Sequence, residues 1–149
     1  MALKILLYGP PGVGKTTSLA HLVAAVQSKE SVLIMDTEEG SIPVTQLAEC
    51  VVLVESYADA LKHAKRPKQI AVIDTIDGLV RAVRQRVVAK EGKAAIAEIE
   101  YGRGYQLVKE VTFSMLNEID STTSFALVMV GHSMEDERGF RPSVGYVAG

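Results

Sequence analysis

LKILLYGPPGVGKT, residues 3–16, passes from an apolar run through a glycine-rich turn to a lysine–threonine pair. Gly9, Gly14, Lys15 and Thr16 fill every fixed position of GxxxxGK[ST]. That pattern carries chemistry only between a strand and a helix, and both neighbours fit. Residues 3–8 form a branched apolar run, while Leu19, Leu22, Val23 and Val26 recur at the three- and four-residue spacing of an amphipathic helix. Between them, the glycines allow successive backbone N–H groups to turn inward at a helix N-terminus, making a nest for an anion. The expected phosphate-binding segment is therefore Gly9, Pro10, Pro11, Gly12, Val13, Gly14, Lys15, Thr16 and Thr17. In such a loop the lysine, Lys15, reaches the β- and γ-phosphates and the Thr16 hydroxyl holds Mg²⁺.

Outward from this loop, residues 32–35, 51–54, 70–73 and 125–130 are further short runs of Val, Ile and Leu without strict polar alternation, the mark of strands buried on both faces. Val108, Val111, Met115 and Ile119 repeat the helical spacing. Strands alternating with helices predict an α/β fold, a mostly parallel sheet flanked by helices, in one domain over residues 1–149. The last stretch, SMEDERGFRPSVGYVAG at 133–149, lacks periodicity and reads as a mobile loop or tail.

The run IAVIDTIDGL, residues 70–79, ends its apolar part at Asp74. An aspartate there either caps the next helix or holds the water ligands of magnesium opposite Thr16, and the phosphate loop favours the metal role. Asp77 reads as the cap of a helix beginning near Gly78. Thr75 follows where many ATPases carry a glutamate, and a threonine cannot act as a base, so a carboxylate must come from elsewhere. The second strand ends VLIMDTEEGS, bringing Asp36, Glu38 and Glu39 to the C-terminal edge where α/β sheets bind ligands. Glu38 is the candidate to orient the attacking water; the alternative is a polar turn of solvated acids. No NKxD motif follows a strand, since the nearest string, NEID at 117–120, falls on a helix, and ATP is favoured over GTP.

GPPGVGKT, DTEEG, VIDTIDGL, YGRGY at 101–105 and VGHS at 130–133, in this order, resemble the RecA-like P-loop ATPases, especially the short phage and prophage proteins grouped with atypical recombinases. The resemblance implies ATP or ADP with Mg²⁺, Glu38 as catalytic base, and His132 as the residue that senses the γ-phosphate from a strand between those of the phosphate loop and Asp74. It also implies single-stranded DNA as a partner, in recombination or annealing, and either self-association or phage recombination and replication proteins. Two features depart from that family: the first strand is expected to begin at residue 3, leaving no N-terminal arm of the kind recombinases use to link protomers, and the sequence ends soon after the sensor strand, so a core lacking the family's C-terminal strands is expected.

The formal charge of −2 argues against a uniformly basic nucleic-acid coat, yet residues 81–109 carry a surplus of +4. Arg84, Arg86, Lys90, Lys93, Arg103 and Tyr105, with Arg138 and Arg141 beyond the sensor strand, are the candidate DNA contacts; the alternative is a solvated helix face. A single cysteine, Cys50, excludes an internal disulfide, and no stretch approaches the ~18–20 apolar residues of a membrane span. A cytoplasmic protein is expected. A nucleotide-gated scaffold or loader with negligible hydrolysis, or a small-molecule phosphotransferase, are the alternative functions.

Overall fold

The computed structural model describes residues 2–10, 14–25, 29–38, 49–136 and 139–144. Along the chain run β1 (Leu3–Gly9), α1 (Lys15–Ala24), β2 (Val32–Asp36), β3 (Val51–Leu53), α2 (Tyr57–Ala64), β4 (Lys68–Asp74), α3 (Ile76–Glu91), α4 (Arg103–Ser121), β5 (Thr123–Asp136) and β6 (Gly139–Pro142). The first five strands make an all-parallel sheet in the order β1-β5-β4-β2-β3. Strand β5, last in sequence of the five, thus lies between the phosphate-loop strand and the strand ending at Asp74.

The absence of polar alternation in these strands has a direct cause in the two cores. Leu33, Met35, Ala71, Ile73, Leu127 and Met129 face one side, packed with residues of α2, α3 and α4, whereas Ile34, Val72, Val128 and Val130 face the other with Leu19 and Val23 of α1. Alternate residues of one strand therefore enter different cores, and both must be apolar. Each fully buried aliphatic side chain contributes ~1.5–3 kcal/mol. In α4 the buried stripe is Val108, Thr112, Met115, Leu116 and Ile119; the Thr112 hydroxyl is satisfied by the Val108 carbonyl at 2.7 Å.

At the edge away from the phosphate loop, Lys68 is buried. Its Nζ donates to the carbonyls of Ala64 (3.0 Å) and Arg66 (2.6 Å) and to Thr122 Oγ1 (2.8 Å), so one ammonium joins the end of α2 to the α4–β5 turn. Burial pulls its pKa down to about 8.

Two expectations are corrected. Residues 133–149 were expected as a loop, but 133–136 prolong β5 and pair antiparallel with β6, Ser133 opposite Pro142 and Asp136 opposite Gly139. Gly139, at φ 98°, accepts the left-handed backbone that opens the return strand, and Val144 is buried in the core beside α3. Residues 133–136 and 139–142 are therefore paired antiparallel strands, built mainly from backbone hydrogen bonds that leave little hydrophobic pattern in the sequence, while 137–138 and 145–149 lie outside the described residues. Helix α3, in turn, begins at Ile76 and is capped by Thr75, whose Oγ1 accepts from Gly78 N at 3.1 Å. Asp77 instead accepts from the backbone N of His132, 2.8 Å away.

Candidate nucleotide site

The phosphate loop leads into α1 through Gly14, whose φ of 92° would strain any residue with a Cβ. Its carbonyl accepts from both the backbone N and Oγ of Ser18, each at 2.9 Å, which fixes the first turn of the helix. Lys15 Nζ donates to Gly9 O at 2.8 Å and Pro10 O at 3.0 Å, so its ammonium lies over the turn between β1 and α1. Pro11, Gly12 and Val13 fall outside the described residues, as does the side chain of Thr16.

Across the same sheet edge, Asp36 and Asp74 end β2 and β4 in register, and both are buried. Burial, followed by the negative charges of Asp36 and Glu38, pushes the Asp74 carboxyl up to about 6, with Lys15 and His132 acting in the opposite direction. The negative charge of Asp36, Glu38 and Asp74 at one edge is what a bound cation would offset, and Mg²⁺ would be held there by Asp74 from β4, although among the described residues no three such side chains form a metal cluster by themselves.

Beyond these strand ends lies a small polar lattice. Thr37 Oγ1 accepts from Thr75 N and donates to Thr75 O, both at 2.8 Å, fastening the end of β2 to the end of β4. Gly78 is required beneath this link, because a Cβ there would meet Thr37 Oγ1 at 2.1 Å. Glu38 N donates to Asp36 Oδ1 at 3.0 Å. The Glu38 side chain then receives Thr75 Oγ1 at 3.0 Å and His132 Nε2 at 2.7 Å, both on Oε1. Burial alone would raise the Glu38 carboxyl, but the hydrogen bonds of His132 and Thr75, with the charges of His132 and Arg81, hold it below its ordinary value. An ionised carboxylate can only accept, so His132 Nε2 carries the proton in this contact.

His132 reaches the edge because β5 pairs with β1 and sets it opposite Gly9. Its backbone is held on both sides, by Asp77 as above and by Ser143 N donating to its carbonyl at 2.9 Å. Four segments meet at this residue: the phosphate-loop strand, the β2 end, the α3 start and the return from the β5–β6 hairpin.

Lys15, Glu38, Asp74 and His132 are thus brought together at one edge. Sequence reasoning missed Thr37, and it noticed Thr75 only as a residue unable to act as a base; the signal available was a hydroxyl residue beside each strand-terminal acid, in DT at 36–37 and again at 74–75. Arg84, Arg86, Lys90, Lys93, Arg103 and Tyr105 are all exposed, on α3, on the α3–α4 connection and at the start of α4. Arg86 lies over the Tyr57 ring, 5.9 Å from its centre, and Tyr101 is fully exposed with a left-handed φ of 58°. Arg138 and the Arg141 side chain fall outside the described residues, and no described helix is long and apolar enough to cross a membrane.

A parallel sheet with a GxxxxGKT loop after its edge strand, and acids ending two neighbouring strands, defines a nucleotide-binding α/β protein of the P-loop NTPase class. The chain belongs to the AAA domain family, matched over residues 1–147. Among solved structures it is similar to the pCW3 conjugation coupling protein TcpA, in a monomer form with ATPγS, at 16% identity and a TM-score of 0.38. The similarity covers 87% of this chain and 42% of that one, so the chain spans less than half of that protein's length. No curated protein matches it.

Proposed function

We propose that the chain is a Mg²⁺-dependent ATPase that couples its nucleotide state to single-stranded DNA, in recombination or annealing of the phage type. The observation that carries this reading is Glu38, an ionised carboxylate held by Thr75 and His132 on the edge shared by Lys15 and Asp74. Lys15 stabilises charge on the β- and γ-phosphates. Glu38 takes a proton from water while the water oxygen forms its bond to the γ-phosphorus; the bond to the bridging oxygen breaks and ADP leaves with the electron pair. Mg²⁺, when bound through Thr16 and Asp74, supplies neutralisation of the phosphate oxygens. His132 answers to the γ-phosphate, and through its backbone bonds to Asp77 and Ser143 the response passes to α3 and to the hairpin.

The DNA part of this reading is supported by the exposed basic residues of α3, Lys93, and Arg103 with Tyr105, where cations neutralise phosphates and an aromatic ring stacks on a base. Phosphate release by the wild type and by Glu38→Gln, each with and without a single-stranded oligonucleotide, tests both parts. Expected are a fall of roughly 100-fold or more in the variant with ADP binding retained, and stimulation of the wild type by the oligonucleotide. Wild-type turnover in Glu38→Gln refutes the base. A flat response to DNA refutes the coupling and favours a nucleotide-gated scaffold.

A further inference from the structure

We infer that Thr75 is a positioning residue for Glu38: its hydroxyl fixes one carboxylate oxygen so that the other is presented to the attacking water. The inference rests on the assignment of Glu38 as the base.

The direction of the hydroxyl follows from its neighbours. Thr75 Oγ1 lies 3.1 Å from Gly78 N, which can only donate, and 3.0 Å from Glu38 Oε1, which as a carboxylate can only accept. The single hydroxyl proton therefore points at Glu38. Thr75 is itself immobilised: it is buried, and Thr37 Oγ1 bonds both its backbone N and its carbonyl at 2.8 Å. Glu38 follows Thr37 directly and has its own N–H held by Asp36, so the peptide carrying the base and the hydroxyl orienting it belong to one braced unit.

The division of labour between the two carboxylate oxygens supports the same conclusion. Both side-chain donors, Thr75 and His132, meet Oε1, and Oε2 has no hydrogen-bonding partner among the described residues. A base held by one oxygen keeps a fixed direction for the other, which limits the geometries that must be searched before proton transfer. Because His132 is also the residue proposed to answer to the γ-phosphate, Thr75 is the contact that keeps Glu38 in place when His132 moves. The threonine standing where a glutamate was sought thus serves the base without being one.

The test uses Thr75→Ser, which keeps the hydroxyl, and Thr75→Val, which keeps the shape and loses it, each in wild-type and Glu38→Gln backgrounds. Steady-state phosphate release gives kcat and KM, and Mg·ADP affinity reports whether the nucleotide site is intact. For Thr75→Val a fall of ~10-fold in kcat is expected with KM and ADP affinity within ~3-fold of wild type, for Thr75→Ser turnover within ~3-fold, and in the Glu38→Gln background no further loss from Thr75→Val. Loss of the α3 cap alone would lower stability but would not vanish when Glu38 is replaced. Wild-type turnover in Thr75→Val, or an equal loss in both backgrounds, overturns the inference while leaving Glu38 as base. Wild-type turnover in Glu38→Gln removes the base, and this inference with it.

Discussion

Replacing Asp74 by asparagine tests the electrostatics of the site without nucleotide. Its carboxyl is raised to about 6 from an ordinary 3.8, by burial first and then by Asp36 and Glu38. Between those values the folded protein binds a proton more tightly than the unfolded chain, so ionising Asp74 weakens the fold as pH rises; the penalty is absent well below pH ~4 and complete above pH ~7. At ~1.4 kcal/mol per pH unit the full penalty is about 3 kcal/mol, and linkage puts about half of it in place by pH 5. Asparagine cannot ionise. Whatever constant cost it carries, its stability relative to wild type should improve by roughly 1–2 kcal/mol between pH 5 and pH 7.5, a relative shift on the order of 1 M in a urea midpoint. Comparing variant with wild type at each pH cancels the titrating groups that do not interact with Asp74. Added Mg·ATPγS should then stabilise wild type strongly and the variant little, since the carboxylate that weakens the empty site is the one proposed to hold the metal. A difference between the two proteins that stays constant with pH, or that shifts in favour of wild type as pH rises, would refute the account of Asp74 as a carboxylate under repulsion.

Other substitutions separate the site from the scaffold. Lys15→Ala should weaken nucleotide binding ~10–100-fold by calorimetry and leave the unliganded melting temperature near wild type, because among the described residues the lysine bonds just two carbonyls, those of Gly9 and Pro10. His132→Ala should bring the affinities for ATPγS and ADP closer together, as removal of a γ-phosphate contact requires; an unchanged ratio argues against the sensor role. Gly78→Ala should cost ~1–3 kcal/mol and reduce turnover, since its methyl group enters the space of the Thr37 hydroxyl that braces Thr75. Lys68→Met should lower the melting temperature by roughly 3–10 °C with nucleotide affinity unchanged, because the carbonyls at the end of α2 lose their donor far from the phosphate loop.

The parts of this molecule that could be read from sequence are those whose signal is local. Branched apolar runs marked all five parallel strands, and the structure extends four of them by one to several residues, as Lys68 and Asp74 do for β4, because backbone pairing continues into polar residues that hydropathy does not register. The phosphate loop was legible for the same reason, with every fixed residue inside eight positions. The lattice around Glu38 was not. Thr37 and Thr75 are partners across 38 positions, and Glu38 and His132 across 94, so only the assembled sheet reveals them. The β5–β6 hairpin escaped notice because it is short and charged, and Asp77 was misassigned because Thr75 was already placed to cap α3.

Placing the proposed base just past the end of β2 and the proposed metal-binding acid at the end of β4 makes the proposed chemistry depend on strand register. With a glutamate directly after Asp74, base and metal ligand would keep their spacing however β2 lay. Here Asp36 pairs with Asp74, and Glu38 reaches Thr75 only in that alignment. A slip of one residue would send Ile34 and Met35 into each other's cores, which are lined by different partners, Leu19 and Val23 of α1 against the residues of α2, α3 and α4. The apolar residues of β2 thus set the position of Glu38 as firmly as its hydrogen bonds do. Exchanging side chains between the two faces of β2 should therefore reduce turnover by more than it reduces nucleotide affinity, because Lys15 and its loop belong to β1 and are held by a separate register with β5.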